Sequence, residues 1–217
     1  MLLASSAFPA TRIILTGDST VNDEGGWGTG FRAAFTSDVE VINLALNGRS
    51  SKSFRDEGAW APALTAKADY ILIQFGHNDG PGKGPERETD PKTTYRANLI
   101  RYIDEARAAG ATPVLVTSIV RRIFTAENKI QPDTLVPYVE EARLVAAEKH
   151  VPLMDLYTLT REQCEGLGPQ RTAELNAVAP DGKPDTTHLG PLGRQTVGAI
   201  AAAELVRVVP QLRTRLK

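Results

Sequence analysis

Ser19, Asp185 and His188 have the residue types, and in part the spacing, that the transfer of an acyl group requires. Asp185 precedes His188 by three residues, so its carboxylate can accept a hydrogen bond from the Nδ1–H of the imidazole. Nε2 is then free to take the proton of a serine hydroxyl, which is a weak nucleophile without such a base. Because this spacing often arises by chance, the fragment is also compatible with a surface Asp and His that cap the following helix.

Acyl transfer also needs hydrogen-bond donors that face the developing oxyanion, and each is worth about 3 kcal/mol of barrier. The backbone N–H groups of Ser19 and Gly48 and the side-chain amide of Asn78 are candidates. Taken singly, Gly48 could instead permit a turn, and Asn78 could satisfy local backbone groups. Their joint position after three successive predicted strands favours the functional interpretation.

The elements that must position these residues are indicated by short apolar runs, each followed by a helical pattern. Runs rich in Ile, Val and Leu and bounded by Gly, Asp and Asn are typical of strands buried on both faces. They predict strands over Arg12–Thr16, Val39–Leu44, Tyr70–Phe75, Thr112–Thr117 and Val151–Asp155. Helical spacing predicts helices over Thr93–Ala109, Asp133–His150 and Leu189–Val209, and we expect Asp185–His188 to lie in a loop before the last of these.

This alternation of strands and helices predicts an α/β fold with a parallel sheet and helices on both sides. In open α/β sheets, ligands bind outside the carboxyl ends of the strands. The polar clusters Asp18-Ser19, Asn47-Gly48 and Asn78-Asp79 each follow such an end. We therefore expect them to meet in space despite their separation in sequence.

Composition and charge narrow the class of protein. A chain of 217 residues with 41% hydrophobic and 24% charged residues predicts one globular domain, residues 1–217. A formal charge of −1 gives no case for a nucleic-acid or membrane partner. Cys164 is the only cysteine and the three histidines are scattered, which excludes an intrachain disulfide and disfavours a zinc site. We therefore predict neither a metal nor another cofactor.

The compartment and the oligomeric state stay open at this level. Met1–Ala7 lacks a basic region, and its apolar run is too short for a complete signal peptide. The chain as written therefore predicts a cytoplasmic protein, whereas a trimmed leader would imply secretion. The sequence is compatible with a monomer or a weak homo-oligomer.

Four segments occur in the order of the four sequence blocks of the SGNH (GDSL-like) hydrolases, and the chain resembles that family. They are Gly17-Asp18-Ser19-Thr20, Asn43–Ser51, Gly76-His77-Asn78-Asp79 and Asp185-Thr-Thr-His188. The first of them, together with Gly-Gly-Trp27-Gly28, looks more particularly like the rhamnogalacturonan acetylesterase branch. The match departs from the family's Gly-Asp-Ser-Leu in having Thr20, the usual variant of this branch. The resemblance extends from about Ile13 to the last helix.

The resemblance implies a flavodoxin-like three-layer α/β/α sandwich around a five-stranded parallel sheet. It also implies metal-free hydrolysis of an ester through an acyl-serine intermediate. Carried over residue by residue, Ser19 is the nucleophile, His188 the base and Asp185 the residue that orients it. Gly48 and Asn78 join the backbone amide of Ser19 in the oxyanion hole.

The implied substrate is an acetylated carbohydrate, foremost acetylated rhamnogalacturonan or another pectin fragment. Xylan or general carbohydrate acetylesterase activity is an alternative, as is a lipase or thioesterase on the same fold. Outside enzymes, the alternative is a catalytically silent carbohydrate-binding protein, which would have no need of Ser19, Asp185 and His188 together.

Basic residues after the predicted strand ends could bind the galacturonate carboxylates of a pectic substrate, or could simply be solvated surface charges. They are Arg49, Lys52, Arg55, Lys83, Arg87, Arg121 and Arg122. Arg49 and the adjacent pair Arg121-Arg122 are candidate substrate-binding residues. His77 is another, although a histidine that ties adjacent loops together is the more usual role. Trp27 or Trp60 could stack on a sugar, but core packing is the default for each.

Overall fold

The computed structural model describes residues 10–217 and centres on a five-stranded, wholly parallel sheet. The strand order is β2-β1-β3-β4-β5. The strands are β1 Thr11–Gly17, β2 Val39–Asn43, β3 Tyr70–Gln74, β4 Thr112–Val116 and β5 Leu153–Met154. Each lies within or close to a predicted run, although β5 covers only two of the five residues expected there. The predicted five-stranded parallel sheet is thus confirmed.

Helices cover both faces of the sheet, which explains why its strands are apolar without alternation. In β1, Ile13 and Leu15 belong to one hydrophobic cluster and the intervening Ile14 to another. In β3, Leu72 belongs to the first cluster and its neighbour Ile71 to the second. Successive side chains of a strand point to opposite faces, so each strand contributes to two cores. The result is the three-layer α/β/α sandwich that the resemblance implies.

Seven α-helices are assigned in residues 10–217. They are α1 Gly28–Ala33, α2 Ser53–Asp56, α3 Ala61–Thr65, α4 Arg96–Ala108, α5 Val136–Glu148, α6 Leu156–Ala173 and α7 Pro191–Val208. The three predicted helices correspond to α4, α5 and α7. The first of them begins later than predicted, because Pro91–Tyr95 forms a π-helical turn before α4. Asp90 caps that turn and accepts hydrogen bonds from the N–H groups of Lys92 and Thr93.

The prediction of a loop at Asp185–His188 is wrong. These residues lie in strand β7, Pro184–Leu189, which pairs antiparallel with β6, Asn176–Val178. The segment is polar and lacks the apolar alternation that marks a strand, because this small sheet is held by tertiary contacts. Helix α6 was also not predicted, and Gly168 and Pro169 interrupt it with a kink.

Met1–Ala7, where the sequence leaves a trimmed leader open, lies outside the described residues, and the single domain of 1–217 stays a prediction. Between residues 10 and 217, no helix is long and apolar enough to cross a membrane.

Helices α1 and α7 pack closely through glycines, and this contact should be sensitive to a single methyl group. A Cβ on Gly198 would lie 2.3 Å from the backbone nitrogen of Phe31. We expect Gly198→Ala to lower the free energy of unfolding by about 1–3 kcal/mol, because backbone atoms must shift to admit the methyl group. Thermal denaturation followed by circular dichroism should show a melting temperature lower by about 2–4 °C per kcal/mol.

Gly166→Ala is the matched control for this substitution. Gly166 is exposed in α6, and a Cβ there would meet no atom within 4 Å. Alanine stabilises an open helical position relative to glycine by up to about 1 kcal/mol, so the melting temperature should stay the same or rise. Equal melting temperatures for the two variants would contradict a tight α1–α7 contact.

Candidate active site

Four of the predicted site residues line one recess of about 470 Å³ at the carboxyl edge of the sheet. They are Ser19, Gly48, Asn78 and His188. Ser19 follows β1, Gly48 follows β2 and Asn78 follows β3, while His188 reaches the recess from β7. The expectation that polar clusters after successive strands meet in space is therefore met by the structure.

Ser19, His188 and Asp185 form a continuous chain of hydrogen bonds. The distance from Ser19 Oγ to His188 Nε2 is 2.7 Å, and that from His188 Nδ1 to Asp185 Oδ2 is also 2.7 Å. Asp185 Oδ1 accepts the backbone N–H groups of Thr187 at 2.9 Å and His188 at 3.0 Å. Burial alone would raise the pKa of Asp185, but the hydrogen bonds from His188 and Thr187 lower it to about 2.

The ionised carboxylate fixes the tautomer of the imidazole. Above about pH 4 Asp185 can only accept hydrogen bonds, so Nδ1 of His188 carries the hydrogen between them. Nε2 then has a free lone pair that faces the hydroxyl of Ser19. This arrangement can remove the serine proton and return it to a leaving group.

Three hydrogen-bond donors without a full set of acceptors belong to residues that line the same recess. Among the hydrogen bonds of residues 10–217, the N–H groups of Ser19 and Gly48 donate to no acceptor. Asn78 Nδ2 donates one hydrogen to the carbonyl of Arg49 at 3.2 Å, which leaves its second hydrogen free. Gly48 has a φ of +73°, a conformation that glycine adopts without strain. Donors without partners beside a nucleophile are what an oxyanion hole requires.

A chain of hydrogen bonds between buried side chains explains why a threonine follows Ser19. Thr20 Oγ1 donates to Asp18 Oδ1 at 2.7 Å and accepts from Gln74 Nε2 at 2.8 Å. Gln74 Oε1 in turn accepts from Trp27 Nε1 at 3.0 Å. Burial raises the pKa of Asp18 to about 6, although the hydrogen bonds from Thr20 act to lower it. A leucine at position 20 could not make these bonds, so Thr20 links the turn of Ser19 to the core.

A buried carboxylate holds together the loops that carry Gly48 and Asn78. Asp79 is fully buried, and its carboxylate accepts hydrogen bonds from the N–H and the hydroxyl of Ser51 and from the hydroxyl of Thr89. Burial raises the pKa of Asp79 to about 7. Because Asp79 is the neighbour of Asn78 and Ser51 lies three residues after Gly48, these bonds fix the two loops relative to each other.

His77 lies away from the recess. It is 4% exposed, and its Nε2 lies 3.1 Å from the carbonyl oxygen of Ile119. Burial lowers the pKa of His77 to about 3, so the imidazole is neutral near pH 7. The structure therefore supports its role in tying loops together rather than contact with substrate.

Arg122 lies behind the triad instead of on the rim of the recess. It is 5% exposed, and its guanidinium donates to the carbonyls of His188 at 2.5 Å and Asp185 at 3.3 Å. It also donates to the side chain of Asn176 in β6 at 2.6 Å. Burial lowers the pKa of Arg122 to about 10, which leaves it protonated at neutral pH. Because the side chain spans β6 and β7 and is almost completely buried, its position does not favour the predicted contact with substrate.

Most of the other candidate cations are already paired with carboxylates. Arg49 lies 2.8 Å from Glu57, and Arg121 lies 2.6 Å from Asp133. The remaining pairs are Lys52–Asp56 and Arg55–Glu105. By contrast, the guanidinium of Arg87 donates, among residues 10–217, only to the carbonyls of Lys83 and, at 3.5 Å, Gly48. Trp27 and Trp60 are buried in the core, so neither offers a face to a sugar.

Two further residues of the recess, Glu24 and Gly25, were not predicted from the sequence, and Asn47 was expected there only as the neighbour of Gly48. A Cβ on Gly25 would lie 3.2 Å from Cδ2 of His188, so this glycine leaves room for the imidazole. Asn47 was visible beside Gly48, but its side chain has no sequence signal that separates it from a turn residue. Asn176 likewise has no signal, because its contact with Arg122 joins residues 54 positions apart.

The fold is a three-layer α/β/α sandwich, and its hydrogen-bonded Ser-His-Asp arrangement is typical of serine hydrolases. Residues 14–196 match the GDSL-like lipase/acylhydrolase family, and the chain belongs to that family. It is therefore a carboxylic ester hydrolase.

Two curated relatives come from Bacillus subtilis. Rhamnogalacturonan acetylesterase RhgT is 37% identical over 209 residues, which cover 88% of this chain and 88% of the relative. Probable rhamnogalacturonan acetylesterase YesY is 39% identical over 155 residues, which cover 68% of this chain and 70% of the relative.

Solved structures show the same fold. A Bacillus subtilis protein superposes with a TM-score of 0.74 at 26% identity, over 91% of this chain and 56% of that one. An acetylxylan esterase of Geobacillus stearothermophilus, solved as a catalytic mutant, has a TM-score of 0.66 at 18% identity. That comparison covers 92% of this chain and 94% of the other.

Proposed function

We propose that this protein removes acetyl groups from a carbohydrate, most specifically from acetylated rhamnogalacturonan, with Ser19, His188 and Asp185 as its catalytic triad. The observation that carries the chemistry is the hydrogen-bonded chain from Ser19 Oγ through His188 to Asp185, with both links at 2.7 Å. The substrate is supported by the two relatives named as rhamnogalacturonan acetylesterases.

The geometry supports a two-step reaction. Ser19 Oγ attacks the acetyl carbonyl carbon while Nε2 of His188 takes its proton, and the carbonyl oxygen gains the negative charge. The N–H groups of Ser19 and Gly48 and the amide of Asn78 stabilise that oxygen. The carbon–oxygen bond to the sugar then breaks, the sugar oxygen takes the proton from His188, and acetyl-serine remains. Water attacks this ester by the same route and releases acetate.

Other assignments have less support from the site. A long acyl chain needs an apolar groove beside the nucleophile. Of the seven residues that line the recess, five are charged or polar: Ser19, Glu24, Asn47, Asn78 and His188. A xylan acetylesterase would use the same triad, and the fold shared with the Geobacillus enzyme keeps it as the second candidate. A silent binding protein would not require the aligned triad.

The deciding experiment measures acetate release from acetylated rhamnogalacturonan, acetylated xylan and p-nitrophenyl acetate. We expect acetate release with the largest kcat/KM on the acetylated rhamnogalacturonan. A preference for xylan would keep the mechanism and overturn the substrate. No release from any of the three would contradict the acetylesterase assignment.

Arg122 should act on catalysis through the position of β7. We expect Arg122→Met to lower kcat by about 10- to 100-fold with little change in KM, because a misplacement of the base by about 1 Å has this effect on rate. Arg122→Lys keeps the charge but cannot reach all three acceptors, so it should restore only part of kcat. Steady-state kinetics on p-nitrophenyl acetate provide the measurement.

The matched control for Arg122 is Arg207→Met. Arg207 is 68% exposed, pairs with Glu204 one turn earlier in α7, and lines neither of the recesses beside Ser19. Its replacement should leave both kinetic constants unchanged. An increase in KM without a decrease in kcat in Arg122→Met would indicate that this residue contacts substrate.

A further inference from the structure

A second recess of about 260 Å³ adjoins the one around Ser19. Glu24 and Asn47 line both recesses, so these two side chains form the boundary between them. The second recess lies between the loops that follow β1 and β2. A substrate with several linked units and one unit at Ser19 would place the next unit there.

The walls of the second recess are fixed by side-chain amides. Asn43 Nδ2 donates to the carbonyl of Val21 at 3.0 Å and to Asp23 Oδ1 at 2.8 Å. The amide of Asn22 donates to the side chain of Asn47, and the oxygen of Asn22 accepts the N–H groups of Glu24 and Gly25. These bonds join the two loops, so the recess exists before any ligand binds.

Three side chains of this recess have contact capacity left over. Leu46 is 41% exposed although it is apolar. Glu24 and Asn47 are also exposed, and the contact between Asn47 Nδ2 and Glu24 Oε2 is long, at 3.5 Å. An apolar surface beside an exposed carboxylate and an amide nitrogen with a hydrogen left to donate matches a sugar ring, which has C–H faces and a rim of hydroxyls.

The charge of the recess selects among sugars. Asp23 is paired with Arg32 at 2.8 Å, but Glu24 has no cation within ion-pair distance in the described part of the chain. Among residues 10–217 no Lys or Arg lines the second recess, whereas beside the recess of Ser19 the guanidinium of Arg87 lies 3.5 Å from the carbonyl of Gly48. A uronic acid in the second recess would therefore face an unpaired carboxylate of like charge, which disfavours it.

We propose that the recess lined by Asn22, Asp23, Glu24, Asn43, Leu46 and Asn47 is a subsite for an uncharged sugar unit linked to the acetylated unit. This inference rests on the proposed function and adds the chemistry of the neighbouring unit. Leu46 packs on the ring, and Glu24 and Asn47 bind its hydroxyls.

The first test replaces Leu46 by alanine and compares a long substrate with a short one. The kcat/KM of Leu46→Ala on acetylated rhamnogalacturonan oligosaccharides should fall about five- to tenfold relative to its kcat/KM on p-nitrophenyl acetate. The short ester cannot reach the second recess, whereas the oligosaccharide loses apolar contact there. Leu144→Ala is the control, because Leu144 is also exposed, at 59%, and lies on α5.

The second test changes the charge of the subsite. In rhamnogalacturonan the neighbour of an acetylated galacturonate is a neutral rhamnose, whereas in acetylated homogalacturonan it is another galacturonate. Wild type should favour the first substrate, and Leu46→Lys should shift the ratio of kcat/KM values towards the second by about tenfold. This gain on the anionic substrate cannot come from a general loss of structure.

The outcomes separate the subsite from the proposed function. Wild type that cleaves p-nitrophenyl acetate but no acetylated oligosaccharide contradicts the proposed function, and the subsite with it. The subsite alone is contradicted if wild type cleaves the oligosaccharides but the kcat/KM of Leu46→Ala falls by the same factor on the oligosaccharides and on p-nitrophenyl acetate. The same holds if neither kcat/KM falls. An unchanged substrate ratio in Leu46→Lys also overturns it.

Discussion

Ser19→Ala is expected to lower kcat for p-nitrophenyl acetate by about 10⁶-fold, the order of loss seen when a triad nucleophile is removed. The hydroxyl of Ser19 is the group that His188 Nε2 contacts at 2.7 Å, and alanine leaves no atom there to attack the ester. Donors of the recess would still stabilise an oxyanion formed by attack of water, so a small residual rate should persist.

Two measurements support this expectation from independent directions. Rapid quenching of wild type during turnover should trap a protein heavier by one acetyl group, and Ser19→Ala should show no such species. Ser37→Ala is the control, because Ser37 is an exposed serine after α1 that does not line the recess. Activity of Ser19→Ala within tenfold of wild type would rule out Ser19 as the nucleophile.

Asp185→Asn should lower kcat by about 10⁴-fold while leaving the fold intact. The asparagine oxygen can still accept the N–H groups of Thr187 and His188, so β7 should keep its geometry. Its NH₂ group then faces Nδ1 of His188 and donates to it, which forces the ring hydrogen onto Nε2. In that tautomer Nε2 cannot accept the proton of Ser19.

The pH profile of the same pair of proteins checks this reasoning. Because the pKa of Asp185 is about 2, its carboxylate stays ionised across the range from pH 5 to 8. Protonation of Asp185 should therefore not limit wild-type activity in that range. A loss of activity towards pH 5 that is present in wild type but absent in Asp185→Asn would contradict an ionised Asp185.

Asp181→Asn is the control for Asp185→Asn. Asp181 lies in the turn between β6 and β7, is exposed and pairs with Lys183. Its replacement changes the charge of the same hairpin without touching the imidazole, so kcat should stay within about twofold. A large loss in this variant would indicate that the charge of the hairpin, and not the tautomer, controls the rate.

The central sheet and the positions of the site residues on it could be predicted from the sequence because both depend on local pattern. Runs such as Ile13-Ile14-Leu15 are apolar at every position, since both faces of the sheet are covered. The rule that parallel strands present ligands at their carboxyl ends then placed Ser19, Gly48 and Asn78 together. Their catalytic roles came from the family resemblance and stay proposals.

The role of Arg122 could not be predicted, because it depends on contacts between distant segments. Arg121 and Arg122 are adjacent, yet one pairs with Asp133 and the other is buried against β7. Adjacent charged side chains give no sign in the sequence of which one turns inwards. Strand β7 was not predicted for a related reason. It is held by pairing with β6 and by Arg122, and neither contact shows in the apolar pattern of its own residues.

The division of the triad between two sheets has a consequence for how the enzyme loses activity. Ser19 follows β1, a buried interior strand of the five-stranded sheet, whereas Asp185 and His188 belong to a two-stranded sheet whose pairing shifts register between Asn176 and Ala177. A pair of strands on its own is only marginally stable, so local opening of this hairpin requires less free energy than global unfolding. Backbone amides of the hairpin should exchange with deuterium earlier than those of β1, and enzymatic activity should follow the closed fraction of the hairpin. Denaturant would then inactivate the protein while the buried Trp27 still reports an intact core.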